Sequence, residues 1–322
     1  AVDRVLFGSW RGEDVVVVRT AETEWEVHCH GGEAAVTRIL QEFSAGEPAA
    51  PESAFDELLL RTRTMRTTQL VLAQAGGLLN NALQAAANAV TSDHFQQRLH
   101  RLLSWERLID HLVDPWQVVI AGPPNVGKSS LLNAIAGYER AIVFDQPGTT
   151  RDAVHTELVL DGWLFSFVDT AGIRQHTDDP IESQGIASAR ELLSSADLVL
   201  IAVDQAQGWT VDHDALLRLV ADSVPFGVVR CKSDLPSSGN PVPDDLTVIR
   251  TSTQRAEGVQ QLTQWIVDQL IPNLPQLDTP LPVAGTADLC RQLLDQLASG
   301  ASPGSVQQQL SDWLSDQPWA YT

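Results

Sequence analysis

Lysine is almost missing from this sequence. Of 322 residues only Lys128 and Lys232 are lysine, and arginine fills the other basic positions. Basic residues of both kinds are outnumbered, 21 against 41 acidic, for a formal net charge of -20. A polyanion such as RNA meets long-range repulsion from such a chain unless a local basic patch offsets it. Arg61, Arg63 and Arg66 form one cluster and Arg98, Arg101 and Arg107 another, but arginines at helical spacing read as a solvated face. Cysteine is scarce too. Cys29, Cys231 and Cys290 are too few and too scattered for a disulfide framework or a zinc site, which points to a reducing, cytoplasmic setting. No apolar run approaches the roughly 20 residues of a membrane-spanning helix. The longest candidate, 70–90, is broken by Gln, Gly and Asn. The first residue is Ala1 rather than Met, which leaves room for an upstream segment, and no stretch reads as a signal peptide.

What remains is ordinary for a globular protein with two or three cores: 43% hydrophobic and 19% charged residues. The rhythm of apolar residues divides the chain into four parts. Residues 1–50 read as a small α+β piece, with strands in "RVLFG", "DVVVVR" and "WEVHCH" and a helix over 33–43 after the Gly31-Gly32 turn. "AGEPAAPES" is a linker by composition. Residues 51–114 form the next part, and from Ala54 to about Val113 apolar positions recur three and four apart without a proline. They predict one long helix or two antiparallel ones, broken near Thr91-Ser92-Asp93 with Ser92 or Asp93 as the cap. Over 115–275 short apolar strands alternate with helices. The strands are "QVVIAG", "TELVL", "LFSFVD", "DLVLIAVD", "FGVVRC" and "LTVIR"; the helices span 128–137, 183–195, 211–223 and 259–270. That alternation predicts a doubly wound, mostly parallel sheet. Residues 276–322 return to helix, at 286–299 and 303–314. The expected fold class is an α/β domain inserted into an α-helical domain, preceded by the small α+β piece.

"GPPNVGKS" fits G-x-x-x-x-G-K-[ST] through Gly122, Gly127, Lys128 and Ser129, between an apolar strand and a helix. Backbone amides of such a loop, here from Val126 to Ser130, surround phosphates. Lys128 adds a compact cation where a planar guanidinium is the wrong shape, and Ser129 offers an oxygen to Mg²⁺. A glycine turn capping a helix is the bland alternative, but strand, loop and helix all fall in register here. "VDTAG" then ends an apolar strand, so that Asp169 can serve the Mg²⁺ shell and the Gly172 amide can meet a γ-phosphate. "PGTTRD" sets Thr150 in a loop able to reach the same Mg²⁺. "CKSD" ends the fifth apolar strand, where GTPases carry N-K-x-D. Asp234 can accept from N1–H and N2–H₂ of guanine, a pair that adenine lacks, while the stem of Lys232 can cover the base. Both lysines would then serve one nucleotide, at its two ends. "HCHGG" is no metal site, since on a strand Cys29 faces away from His28 and His30.

Together these residues resemble the tRNA-modification GTPase family (TrmE, also called MnmE). The likeness runs through "GPPNVGKSSLLNAIAGYERAIVFDQPGTTRD", "FVDTAGIR", "IESQGI" and "SADLVLIAVD", and reaches "WEVHCHGGEAAVTRIL" near the start. It implies a P-loop GTPase domain binding GTP or GDP with Mg²⁺. It further implies a K⁺ ion held by Asn125, a loop over 143–149 closing on that ion, and Glu182 orienting the attacking water. A homodimer with nucleotide-dependent contact between GTPase domains is implied as well, together with a partner protein in wobble-uridine modification. Direct tRNA binding fits poorly with the net charge.

Several positions depart from the family pattern. Cys231 stands where the N-K-x-D asparagine belongs, which should weaken nucleotide affinity. The "SAK"-like loop reads "TSTQ", leaving Ser252 to reach the base. The N-terminal piece is about half of the family's folate-binding domain, and the C-terminal Cys-x-Gly-Lys motif is not found among these residues. Two other readings therefore stay open: a divergent paralogue that hydrolyses GTP without a role in tRNA modification, and a scaffold protein whose nucleotide site has decayed.

Overall fold

The computed structural model describes residues 5–10, 13–19, 25–29, 36, 39, 54–138, 155–169, 190–220, 224–283 and 285–316. The chain forms two compact units. One comprises Ala1–Val113 with Pro275–Thr322, and the other is the intervening Asp114–Leu274.

The first unit opens with three antiparallel strands in sequence order: β1 (Val5–Trp10), β2 (Glu13–Arg19) and β3 (Trp25–Cys29). Val36 and Ile39 are helical, as the 33–43 prediction requires at those positions. Next come α1 (Ala54–Arg61), α2 (Met65–Ala73), α3 (Leu79–Ala87) and α4 (Ser92–Leu103). In place of the one or two long helices expected here stand these four shorter ones and a single further helical turn at Glu106–Ile109. Threonines make the first break. Thr62 Oγ1 donates to Leu59 O at 2.9 Å, and Thr64 caps α2 by accepting from Thr67 N at 3.2 Å. Such hydroxyls compete with the helical ladder. Between α2 and α3 lies a π-helical turn, Gln74–Leu78, in which Gly77 takes φ 94°. The cap of α4 is Thr91, whose hydroxyl accepts from His94 N at 3.3 Å. Ser92 and Asp93 instead occupy the first helical turn, since Thr91 is the residue that keeps extended backbone, at φ -126° and ψ 153°, before the helix begins.

The second unit is built on a six-stranded sheet. Its strands are β4 (Trp116–Ala121), β5 (His155–Leu160), β6 (Trp163–Asp169), β7 (Leu198–Asp204), β8 (Phe226–Cys231) and β9 (Val248–Arg250). They lie in the order β5-β6-β4-β7-β8-β9, all parallel except the β5–β6 pair. Every residue of β6 and β7 is buried, the signature of strands covered on both faces. One apolar core joins Val119 and Ala121 of β4 to Val199, Ile201 and Val203 of β7. The helices are α5 (Lys128–Tyr138), a stretch at 190–195, α6 (Val211–Leu219) and α7 (Val259–Leu270). Helix α6 stops before the expected Ser223, because Val220 turns extended at ψ 126°.

The chain then returns to the first unit with α8 (Thr286–Ala298), packed on α4, and α9 (Pro303–Ser315), packed on α3. Buried Gln74 links the two halves of this unit. Its side chain donates to Thr279 O at 3.1 Å and accepts from Leu281 N at 3.0 Å. Among the described residues no helix is long and apolar enough to cross a membrane.

Candidate functional site

In an open parallel sheet the carboxyl ends of neighbouring strands create the crevice where ligands bind. Here the ends of β4, β6, β7 and β8 carry the polar residues in question. Strand β4 runs straight into the loop 122–127, and the loop hands over to α5 at Lys128. Gly122 is required by close approach: a Cβ there would lie 2.6 Å from the backbone oxygen of Ala202 on β7. Gly127 takes φ 108°, and Asn125, exposed, takes φ 64°, an unusual conformation for a residue with a side chain. Val126 is buried, while Ser129 and Ser130 are exposed at the start of α5. The first amides of any α-helix find no acceptor inside the helix, which leaves those at the start of α5 for the loop or a ligand to satisfy.

Lys128 is only 5% exposed. Its ammonium donates to Gly122 O and Pro123 O, both at 3.0 Å, so it lies over its own loop. Ser129 Oγ donates to Asp169 Oδ2 at 2.8 Å, and Asp169 is buried at the end of β6. A hydroxyl and a carboxylate side by side are the hard oxygen donors that Mg²⁺ prefers.

The other end of the crevice is built by β7 and β8. Lys232 follows β8 with φ 56°. Its ammonium donates to Asn125 O at 2.7 Å and meets Asp204 Oδ2 at 2.6 Å. Asp204 closes β7, is buried, and accepts the amides of Ala206 at 2.8 Å and Gln207 at 3.3 Å on its second oxygen. Burial pushes its carboxyl up, but the hydrogen bonds from Lys232 and from those two amides outweigh it, so the net shift is downward. Asp234 Oδ1 accepts from Ser252 Oγ at 2.6 Å, which holds the carboxyl below the usual range. Ser252 is fully buried and also accepts from Arg255 N at 3.3 Å. Cys231 packs toward the phosphate loop, its Cβ 3.6 Å from where a side chain on Gly127 would begin. Burial drives its thiol up to about 11, so it is a neutral sulfhydryl at pH 7 rather than a nucleophile.

Gly122, Asn125, Val126, Gly127, Lys128, Ser129, Ser130 and Asp169 thus gather at one end of the crevice, and Lys232, Asp234 and Ser252 at the other. Thr150, Gly172, Glu182 and the loop 143–149 lie outside the described residues. Sequence reasoning passed over Asp204, although it ends the apolar run "DLVLIAVD". The sign that could have found it is a carboxylate closing a buried strand, once that strand is placed beside the phosphate-loop strand.

A strand, a glycine loop and a helix with these partners define a P-loop GTPase domain, and the family model for 50S ribosome-binding GTPases matches residues 117–231. The tRNA modification GTPase MnmE of Synechococcus sp. (strain CC9311) is 32% identical, covering 92% of this chain and 74% of its own. That of Parasynechococcus marenigrum (strain WH8102) is 33% identical over 81% of this chain and 65% of its own. That of Synechococcus sp. (strain RCC307) reaches 36% over 67% and 57%. The chain belongs to the tRNA modification GTPase MnmE family, as a divergent member. Among solved structures, the G domain of the T. maritima FeoB iron transporter matches 48% of this chain and 99% of its own at 24% identity, with a TM-score of 0.36.

Proposed function

We propose that the protein is a GTP-hydrolysing switch that works in the context of tRNA modification. One observation carries the reading: the ammonium groups of the only two lysines both donate to backbone carbonyls of one loop, Gly122 and Pro123 for Lys128 and Asn125 for Lys232. The amides of Val126 to Ser130 and the Lys128 ammonium would bind the phosphates, and Asp234, oriented by Ser252, would select guanine. Ser129, Asp169 and Thr150 are the oxygen donors for Mg²⁺, which when bound neutralises charge on the transferred phosphoryl group. Asn125, exposed at the mouth of the loop, is suited to a K⁺ ion that would serve the same end. Glu182 would hold the attacking water. Gly172 would offer its amide to the γ-phosphate.

The reading extends to a cytoplasmic protein that works with a partner protein and as a homodimer whose GTPase domains meet in the GTP state; relatives bearing the name tRNA modification GTPase support the tRNA-modification context alone. At a net charge of -20 the tRNA itself is better presented by that partner than bound directly.

The test is binding of fluorescent mant-GTP and mant-ATP, followed by single-turnover hydrolysis with the wild type and Glu182→Ala. Guanine-selective binding in both proteins, with turnover lost in the variant, is expected. Equal binding of the two nucleotides would overturn the guanine reading, and full turnover in the variant would remove Glu182 from its role.

A further inference from the structure

We propose that Asp204 is a positioning residue that, through the Lys232 ammonium, pins the phosphate loop to the base-binding loop and so sets the residence time of the nucleotide. This rests on the nucleotide reading above. Lys232 Nζ lies between Asp204 Oδ2 at 2.6 Å and Asn125 O at 2.7 Å, so one ammonium spans β7, β8 and the phosphate loop. Asn125 and Lys232 both hold left-handed backbone, at φ 64° and 56°, though neither is glycine. Such conformations persist only where the surroundings over-determine them, and each residue is a terminus of this bridge.

Asp204 is itself fixed. Its other oxygen accepts the amides of Ala206 and Gln207. The loop that follows is strapped to the loop after β8: Trp209 N donates to Asn240 O at 2.9 Å, and Ser238 Oγ donates to Ala206 O at 2.7 Å. The carboxylate therefore presents a rigid anion to a lysine that is 39% exposed along its side chain. Cys231 makes the bridge matter more in this chain. A thiol buried against Val229 O at 3.8 Å gives little polar connection to the adjacent loop, so the load falls on the neighbouring ammonium. Charge-assisted hydrogen bonds are about twice as strong as neutral ones, which suits a single strut between two loops.

Asp204→Asn separates the two tasks of the carboxylate. An amide oxygen still accepts from Ala206 and Gln207, while the NH₂ group opposes the ammonium. Lys232→Met keeps the apolar stem and removes the charge. Release of mant-GDP is expected to quicken about tenfold in either variant, with the double variant no faster than Lys232→Met alone. Wild-type release from Asp204→Asn, or fully multiplicative effects in the double variant, would overturn the proposal.

The chain offers a second measurement that needs neither hydrolysis nor a folded variant. With two lysines, ¹⁵N-lysine labelling gives two side-chain ammonium signals. A pinned Lys232 gives a signal protected from solvent exchange near neutral pH; one averaged with water contradicts the strut even if no nucleotide binds. Failure of GTP turnover with a protected signal would instead count against the proposed function and leave the strut standing.

Discussion

At the scale of single residues, the crevice depends on groups whose replacement has a definite sign. Gly122→Ala places a methyl 2.6 Å from Ala202 O, a backbone atom of a fully buried strand that cannot yield cheaply. It is expected to lower the melting temperature and abolish nucleotide binding together, by calorimetry and mant-GDP titration. Cys231→Asn restores an amide beside Gly127 and is expected to tighten mant-GDP binding about tenfold, the worth of one or two added hydrogen bonds. Unchanged affinity would mean that the base-side loop has re-formed around the thiol. Most of these residues were legible in the sequence. Lys128, Ser129 and Asp169 sit in fixed spacings beside apolar strands, and the shortage of lysine elsewhere singles out Lys232. Asp204 was not, because its partner is 28 residues away and they meet only when β7 and β8 pair in parallel.

Elements show a different balance. The central strands of the sheet follow from nearly unbroken apolar runs, and α7 from a well-spaced buried face. The helical part was less legible, since its breaks come from threonine hydroxyls and two glycines that a search for proline does not register. Gln74 depends on the same non-local information. It is 1% exposed, and its partners lie more than 200 residues away. Gln74→Leu strands the Leu281 amide and the Thr279 carbonyl, at a cost of about 2 kcal/mol, read as a fall in the denaturant midpoint.

Helix α6 carries a pH response. His213 Nδ1 accepts from Thr210 N at 3.1 Å, and Nε2, which must then hold the hydrogen, donates to Ala202 O at 3.2 Å. Burial pushes its pKa below 6.5, against the opposing pull of the Ala202 carbonyl and of Asp212 and Asp214. The unfolded chain therefore takes up a proton first as pH falls. Stability from this site is complete above about pH 6.5 and declines as pH descends toward the folded value. Between pH 7.5 and 5.5 the wild type should lose roughly 2–4 °C more in melting temperature than His213→Gln. Equal losses would exclude this histidine as the cause.

The whole molecule joins a unit assembled from both ends of the sequence to the GTPase domain between them. The alternation of strands and helices over 115–275 made the fold of that domain readable, because its central strands β6 and β7 had to be buried on both faces. The chemistry of the crevice then rests on two scarce lysines, and the most direct test asks whether the crevice turns over GTP. Steady-state phosphate release from GTP and from ATP, in KCl and in NaCl, with Lys128→Ala alongside, would decide it. The account predicts hydrolysis of GTP but not ATP, faster in KCl, and reduced at least a hundredfold in Lys128→Ala, on the scale of losing one transition-state contact. Equal turnover of both nucleotides, or none from folded wild type in either salt, would contradict it.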